Sequence, residues 1–159
     1  MKILILLTGF VLGIGLTLIG VKMFMPKMML TVQKSKLDFE QTVDHIKQSA
    51  LEKGWKVPKI YDLQKSLAED GYTTDILKLK VVSLCQPEHA HKILSSDERK
   101  KVTAMMPCRV GVYETASGEV MISAMNIGLM SKLFGGVIED VMGQVATEEH
   151  EMLKPVLAN

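Results

Sequence analysis

Aromatic side chains are few in this chain, with one tryptophan, three tyrosines and four phenylalanines among 159 residues, and cysteines number only two. Two cysteines exclude a disulfide-dense secreted scaffold, and the chain has no C-x-x-C or H-x-x-x-H pattern of the kind that marks structural zinc. Charge of neither sign dominates, since 19 basic residues face 18 acidic ones. No basic cluster marks a nucleic-acid footprint, and no G-x-x-x-x-G-K loop marks a phosphate site. Nor is there a spaced nucleophile, base and orienting acid to indicate an enzyme.

One thing is present in excess. Met1 and Lys2 are followed by an uncharged run from Ile3 to Val21, closed by Lys22. Nineteen residues at helical rise extend about 28 Å, close to the hydrocarbon thickness of a bilayer. Gly9, Gly13, Gly15 and Gly20 would weaken a helix in water but are tolerated in lipid. The Gly9-x-x-x-Gly13 spacing is read as composition ahead of a dimerisation face. A cleaved export signal would need a shorter apolar core and a small-residue cleavage site, and Val21 to Pro26 supplies neither. Residues 1–25 are therefore read as a retained single-pass anchor in the cytoplasmic membrane. Lysines near the span point one way and the two-residue N-terminal tail the other; the soluble part is placed on the outer side.

Residues 28–153 make one domain. From residue 28 onward, 16 basic side chains face 18 acidic ones, so this part is slightly negative. Met28 to Lys34 reads as a strand. Asp38 with Gln41 forms a capping box, and Phe39, Val43, Ile46 and Ala50 give the following helix one apolar face, stopped at Gly54. Trp55 to Tyr61 reads as a strand weakened by Pro58, which suits an edge or a bulge, and Asp62 to Asp70 is a short helical turn. Leu77, Leu79 and Val81 alternate with Lys78 and Lys80 in a half-solvated strand reaching Cys85, a parity that assigns Cys85 to the apolar side. Pro87 opens a helix through Leu94, and Ser95 with Glu98 suggests a further capped turn. Cys108 to Tyr113 and Val120 to Ala124 form a hairpin about Gly118. From Gly128 onward Met130, Phe134, Val137, Ile138, Val141 and Val145 form a helical stripe, in which Gly135 and Gly136 signal close packing or a break. Strand, helix, several strands and helix predict an α+β domain on an antiparallel sheet.

Three segments also carry a family resemblance: Cys85-Gln-Pro-Glu-His-Ala, Met106-Pro-Cys-Arg-Val-Gly-Val-Tyr-Glu, and Gly118-Glu-Val. Over about residues 30–145 the chain resembles the bacterial and archaeal "domain of unknown function 302" family. The resemblance implies a strand, helix, four-strand meander, helix fold packed by two main helices, often as a homodimer, and implies no activity. The anchor departs from the family's soluble members.

Candidate chemistry centres on Cys85 and Cys108. If their strands are antiparallel neighbours, as the resemblance implies, the two thiols meet; a parallel crossover would place them roughly 23 Å apart. Three readings stand: reduced core residues, a disulfide, or a soft-metal site completed by His89 or His91 with thioethers from Met105, Met106, Met121 or Met125. His89 and His91, two apart on a helix, point about 200° apart, so at most one faces the thiols. Arg109 and Tyr113 lie on the strand face opposite Cys108, where they are read as solvated. The sequence names no cofactor. It favours a non-enzymatic binding or assembly module, dimeric and membrane-tethered, over a thiol-based metal or redox protein.

Overall fold

The computed structural model describes residues 2–72 and 76–158, with side chains from residue 9 onward; Met1, the first residue of the expected anchor, lies outside them. Helix α1, Lys2–Met29, continues past Lys22 and through Pro26, so the first strand, β1, is Leu30–Lys34 and starts directly where the helix stops. Within α1, Gly9–Met29 has a mean hydropathy of 1.7 and is long and apolar enough to cross a membrane.

Helix α2, Phe39–Glu52, begins where Asp38 Oδ1 accepts from the Gln41 N–H at 2.9 Å. Its buried face is Phe39, Thr42, Val43, Ile46 and Ala50. Gly54, at φ +78°, turns the chain so that Trp55 packs back into the core. That leaves β2 only Ile60–Asp62, shorter than Pro58 and its neighbours suggested, and it is an edge strand. Asp62 caps α3, Leu63–Glu69. After β3, Leu79–Leu84, come α4, Pro87–Leu94, and a 3-10 segment, Asp97–Met105. Ser95 belongs to the end of α4 rather than the start of the next turn; Ser96 occupies that cap without a side-chain bond. The hairpin is β4, Cys108–Glu114, and β5, Val120–Met125, with Gly118 at φ +79°. The last stripe divides into α5, Ile127–Ser131, and α6, Gly136–Leu153, because Gly135 and Gly136 take φ +67° and +55° and break the helix.

The five strands form one antiparallel sheet in the order β1-β5-β4-β3-β2. The architecture is α+β, as the sequence pattern predicts. One face carries Val82, Leu84, Val110, Val112, Ile122 and Ala124, packed with Phe39, Val43 and Ile46 of α2 and Ile138, Val141 and Val145 of α6. The C-terminal segment closes the edge of this layer, where Ser35 bridges Leu157 and the Ala158 N–H donates to Lys34 O.

The parity of β3 is the reverse of the sequence reading. Val82, Lys80 and Leu84 pair with Val110, Val112 and Cys108, so the even positions face the helices. Lys80 reads as solvated in sequence, yet its stem lies against Phe39, with Nζ 5.4 Å from the ring centre and 2.7 Å from Glu40 Oε1. A long cationic side chain at the rim of a core keeps its head in water, and alternation alone does not reveal this.

Candidate functional site

Antiparallel pairing of β3 with β4 sets Leu84 opposite Cys108, which brings Cys85, one residue beyond, to the same pole of the sheet. Cys85 is tied there by two backbone hydrogen bonds to Lys56, at 2.7 and 2.9 Å. Both cysteines are free thiols, half-buried. With Trp55, His89, Met106 and Met142 they line a cavity of about 30 Å³. That volume holds one water or one ion and excludes an organic ligand.

Gln86 sets the direction of α4. Its Oε1 accepts from the Glu88 and His89 N–H groups at 2.6 and 3.3 Å, and Pro87 fills the first helical turn. His89 then lines the cavity, whereas His91 is exposed on another face. Glu148 of α6 spans two of the cavity's walls: Oε1 lies 2.9 Å from His89 Nε2, and Oε2 accepts from Trp55 Nε1 at 2.7 Å. Next to it, Glu149 is buried and its Oε2 has no partner. Burial pushes its carboxyl up to about 7. Burial likewise pushes the Cys108 thiol up to about 12, helped by the negative charges of Glu149 and Cys85. At neutral pH Cys108 is therefore a protonated thiol and a poor nucleophile. Among the described residues, no group of three or more His, Cys, Asp or Glu is arranged to hold a metal ion.

Glu148 and Glu149 carried no sequence signal as a pair. Position 149 did, because it continues the four-residue spacing of Val141 and Val145 and so falls on the buried stripe of α6. Trp55 and Met142 reach the cavity, and Glu148 its walls, through contacts distant in sequence.

A second surface lies on the other side of the sheet, outside the α2–α6 layer; at its cysteine end the 3-10 segment comes against it through Met105, and Ser83 there is buried. Tyr61, Val81, Gly111, Ser123 and Val32 form one row across all five strands by their registers. Leu79, Tyr113, Met121 and Lys34 form the next row, and Leu30 pairs with Met125 at the near end. Leu30 and Val32 are 55% and 50% exposed. Toward the cysteine pole this face deepens into a cavity of about 360 Å³ bordered by Leu30, Val81, Met105, Arg109, Ser123 and Met125. Arg109 thus borders a concavity while remaining exposed. At the opposite pole a groove of about 690 Å³ is ringed by paired charges, Lys34 with Glu119 at 2.8 Å and Lys78 with Glu114 at 3.0 Å.

The sequence profile of the family described as "Domain of unknown function DUF302" matches residues 30–159. The chain belongs to the DUF302 family. Its domain also shares its fold with the crystal structure of the uncharacterized conserved protein DUF302 from Bacillus stearothermophilus, with a TM-score of 0.71 at 16% identity, over 81% of this chain and 98% of that one. No match was found among curated proteins. The segments that carried the resemblance, Cys85 to Ala90 and Met106 to Glu114, build the cysteine pole and the central strand of this DUF302 domain.

Proposed function

We propose that this chain is a membrane-anchored DUF302 module for assembly, in which the uncovered face of the sheet joins two copies. The carrying observation is the composition of that face. An antiparallel sheet with one side in water ordinarily alternates apolar inside with polar outside. Here the outward rows hold Val32, Tyr61, Val81, Tyr113, Met121 and Met125 around Gly111 and Ser123, and β1 exposes Leu30 and Val32 by half or more. A contiguous apolar surface of this kind marks an interaction site. The long apolar helix α1 supports tethering in a membrane, which we take to be the cytoplasmic one with the domain on its outer side, and tethering concentrates copies in one plane.

Full-length protein in lipid nanodiscs or detergent, weighed by light scattering, tests this. Two chains per particle are expected, falling to one in Val32→Arg. A Gly9→Leu, Gly13→Leu variant keeps the pair, since the contact lies in the domain. A single chain per particle in the wild type at every concentration overturns the reading. A reporter fused after the C-terminus reads the membrane side.

A second reading rests on the small cavity: two free thiols and the Met106 and Met142 thioethers surround space for one ion, a donor set that suits a thiophilic metal such as Cu(I). Elemental analysis of anaerobically purified full-length protein decides it. One metal per chain, lost in Cys85→Ser and in Cys108→Ser, supports this reading; metal-free protein rejects it.

A further inference from the structure

The way α1 joins the domain points to a second contact with the bilayer, an inference that rests on the anchor reading above. No linker separates span and domain, because α1 ends at Met29 and β1 starts at Leu30. Asn126 locks this junction. Its N–H donates to Met29 O at 2.8 Å, its Nδ2 donates to Met28 O at 3.0 Å, and its Oδ1 accepts from the Leu129 N–H at 3.1 Å, capping α5.

Helix α5 therefore starts beside the C-terminal end of α1. A groove of about 490 Å³ lies between the two, walled by Val21, Phe24 and Met28 on one side and Leu129, Met130 and Leu133 on the other, and it continues along α1 as far as Gly20. With its start fixed at Met28 and Met29, α5 runs back along α1 toward the apolar run. The chain reverses only at Gly135 and Gly136, whose positive φ values begin α6. The tip of this excursion is apolar and bare: Leu133 is 70% exposed, Phe134 40% and Val137 37%.

The level of the tip follows from the anchor. The uncharged run ends at Val21, so Lys22 marks the edge of the hydrocarbon. From Gly20 to Met29 the helix rises about 13 Å, comparable to the interfacial layer plus the first turn beyond it. Lys22, Lys27 and Lys132 stand at this level, where lysines extend their charge to headgroups, anionic ones above all. We propose that the α5–α6 turn, led by Leu133 and Phe134, is a bilayer contact that dips into the interface beside the span, and that lipid fills the membrane end of the groove, beside Gly20, Val21 and Leu133. Two attachments hold a domain in one orientation where one lets it swivel. The pole bearing Cys85 and Cys108, at the same end of the sheet as Met125 and α5, then faces the membrane, and the turn at Ser117 points away.

Tryptophan placement in nanodiscs of phosphatidylcholine and phosphatidylglycerol carrying acyl-chain nitroxides tests this on the full-length protein. Wild type, whose only tryptophan, Trp55, is buried, provides the baseline. Ile14→Trp reports the span, Phe134→Trp the turn and Ser117→Trp the distal pole; Leu133→Trp replaces Phe134→Trp if the latter misfolds. The proposal expects blue-shifted added emission, mostly lost to the lipid nitroxide, in Ile14→Trp and Phe134→Trp, with Ser117→Trp quenched only by acrylamide from water. If Ile14→Trp is quenched by lipid but the turn only by acrylamide, the turn contact is wrong and the anchor stands. A blue-shifted turn that neither agent quenches is covered by protein, such as a second copy, which also overturns it. Failure of Ile14→Trp to meet lipid overturns both.

Discussion

Glu149 is the side chain in the domain whose ionisation bears most directly on stability. It sits on the buried stripe of α6, with one oxygen unpartnered and its carboxyl raised from 4.5 to about 7 by burial. The folded state therefore holds its proton where the unfolded chain has already released it. Stability from this group is full below about pH 4.5 and is lost as pH rises through about 7, by about 3 kcal/mol. Thermal midpoints of the solubilised protein should fall across that window, and Glu149→Gln should remove most of the slope; an unchanged slope would show that another group titrates. Gly111 is constrained by space rather than conformation. A Cβ there would stand 2.7 Å from Ser123 Oγ on the neighbouring strand. Gly111→Ala should cost about 1 to 3 kcal/mol as overpacking. In a Ser123→Ala background the same change should cost much less, a coupling that denaturant titrations of the four proteins would measure. In sequence Gly111 is one glycine among twelve, because the atom that forbids a side chain there belongs to a strand it meets only on folding.

At the scale of elements, local chemistry carried far. Asp38 with Gln41 marks the start of α2, Pro87 the start of α4, and Gly118 the hairpin turn, because capping groups and left-handed glycines act within a few residues of themselves. The stripe from Gly128 read as one helix with two anomalous glycines, and the structure makes those glycines the break between α5 and α6. Gly135→Ala and Gly136→Ala should each lower stability by about 1 kcal/mol or more, since both positions hold left-handed backbone. Equal or higher thermal midpoints in either variant would contradict the assigned turn. Strand β3 misled in the other direction. Its alternation of leucine and lysine has a clear period, but period cannot say which parity is inside when a lysine stem and a valine both suit the core rim.

For the whole molecule the decisive feature is asymmetry between the two sheet faces. Helices α2 and α6 bury one face, and the other exposes Leu30, Val32, Tyr61 and Met125 outside that layer. If that face joins two copies, Val32→Arg should abolish the pair, while its unfolding free energy, compared at a dilution where wild type is also monomeric, stays within about 0.5 kcal/mol of wild type, as for other exposed substitutions. A stable dimer in Val32→Arg would move the interface elsewhere. The charged groove at the distal pole offers less, since Lys34 and Lys78 on its rim are already paired with Glu119 and Glu114.

The apolar run of α1, the capped helices and the hairpin were all determined by the sequence alone, for each depends on hydrophobicity or backbone preference over a few neighbouring residues. Tertiary structure alone decided that Cys85, Cys108 and His89 share one cavity, that Glu148 holds both His89 and Trp55, and that Glu149 is stripped of solvent. Trp55 and Glu148 lie 93 residues apart. Contact at that separation comes from strand order and helix packing, which bring together groups that no local periodicity relates.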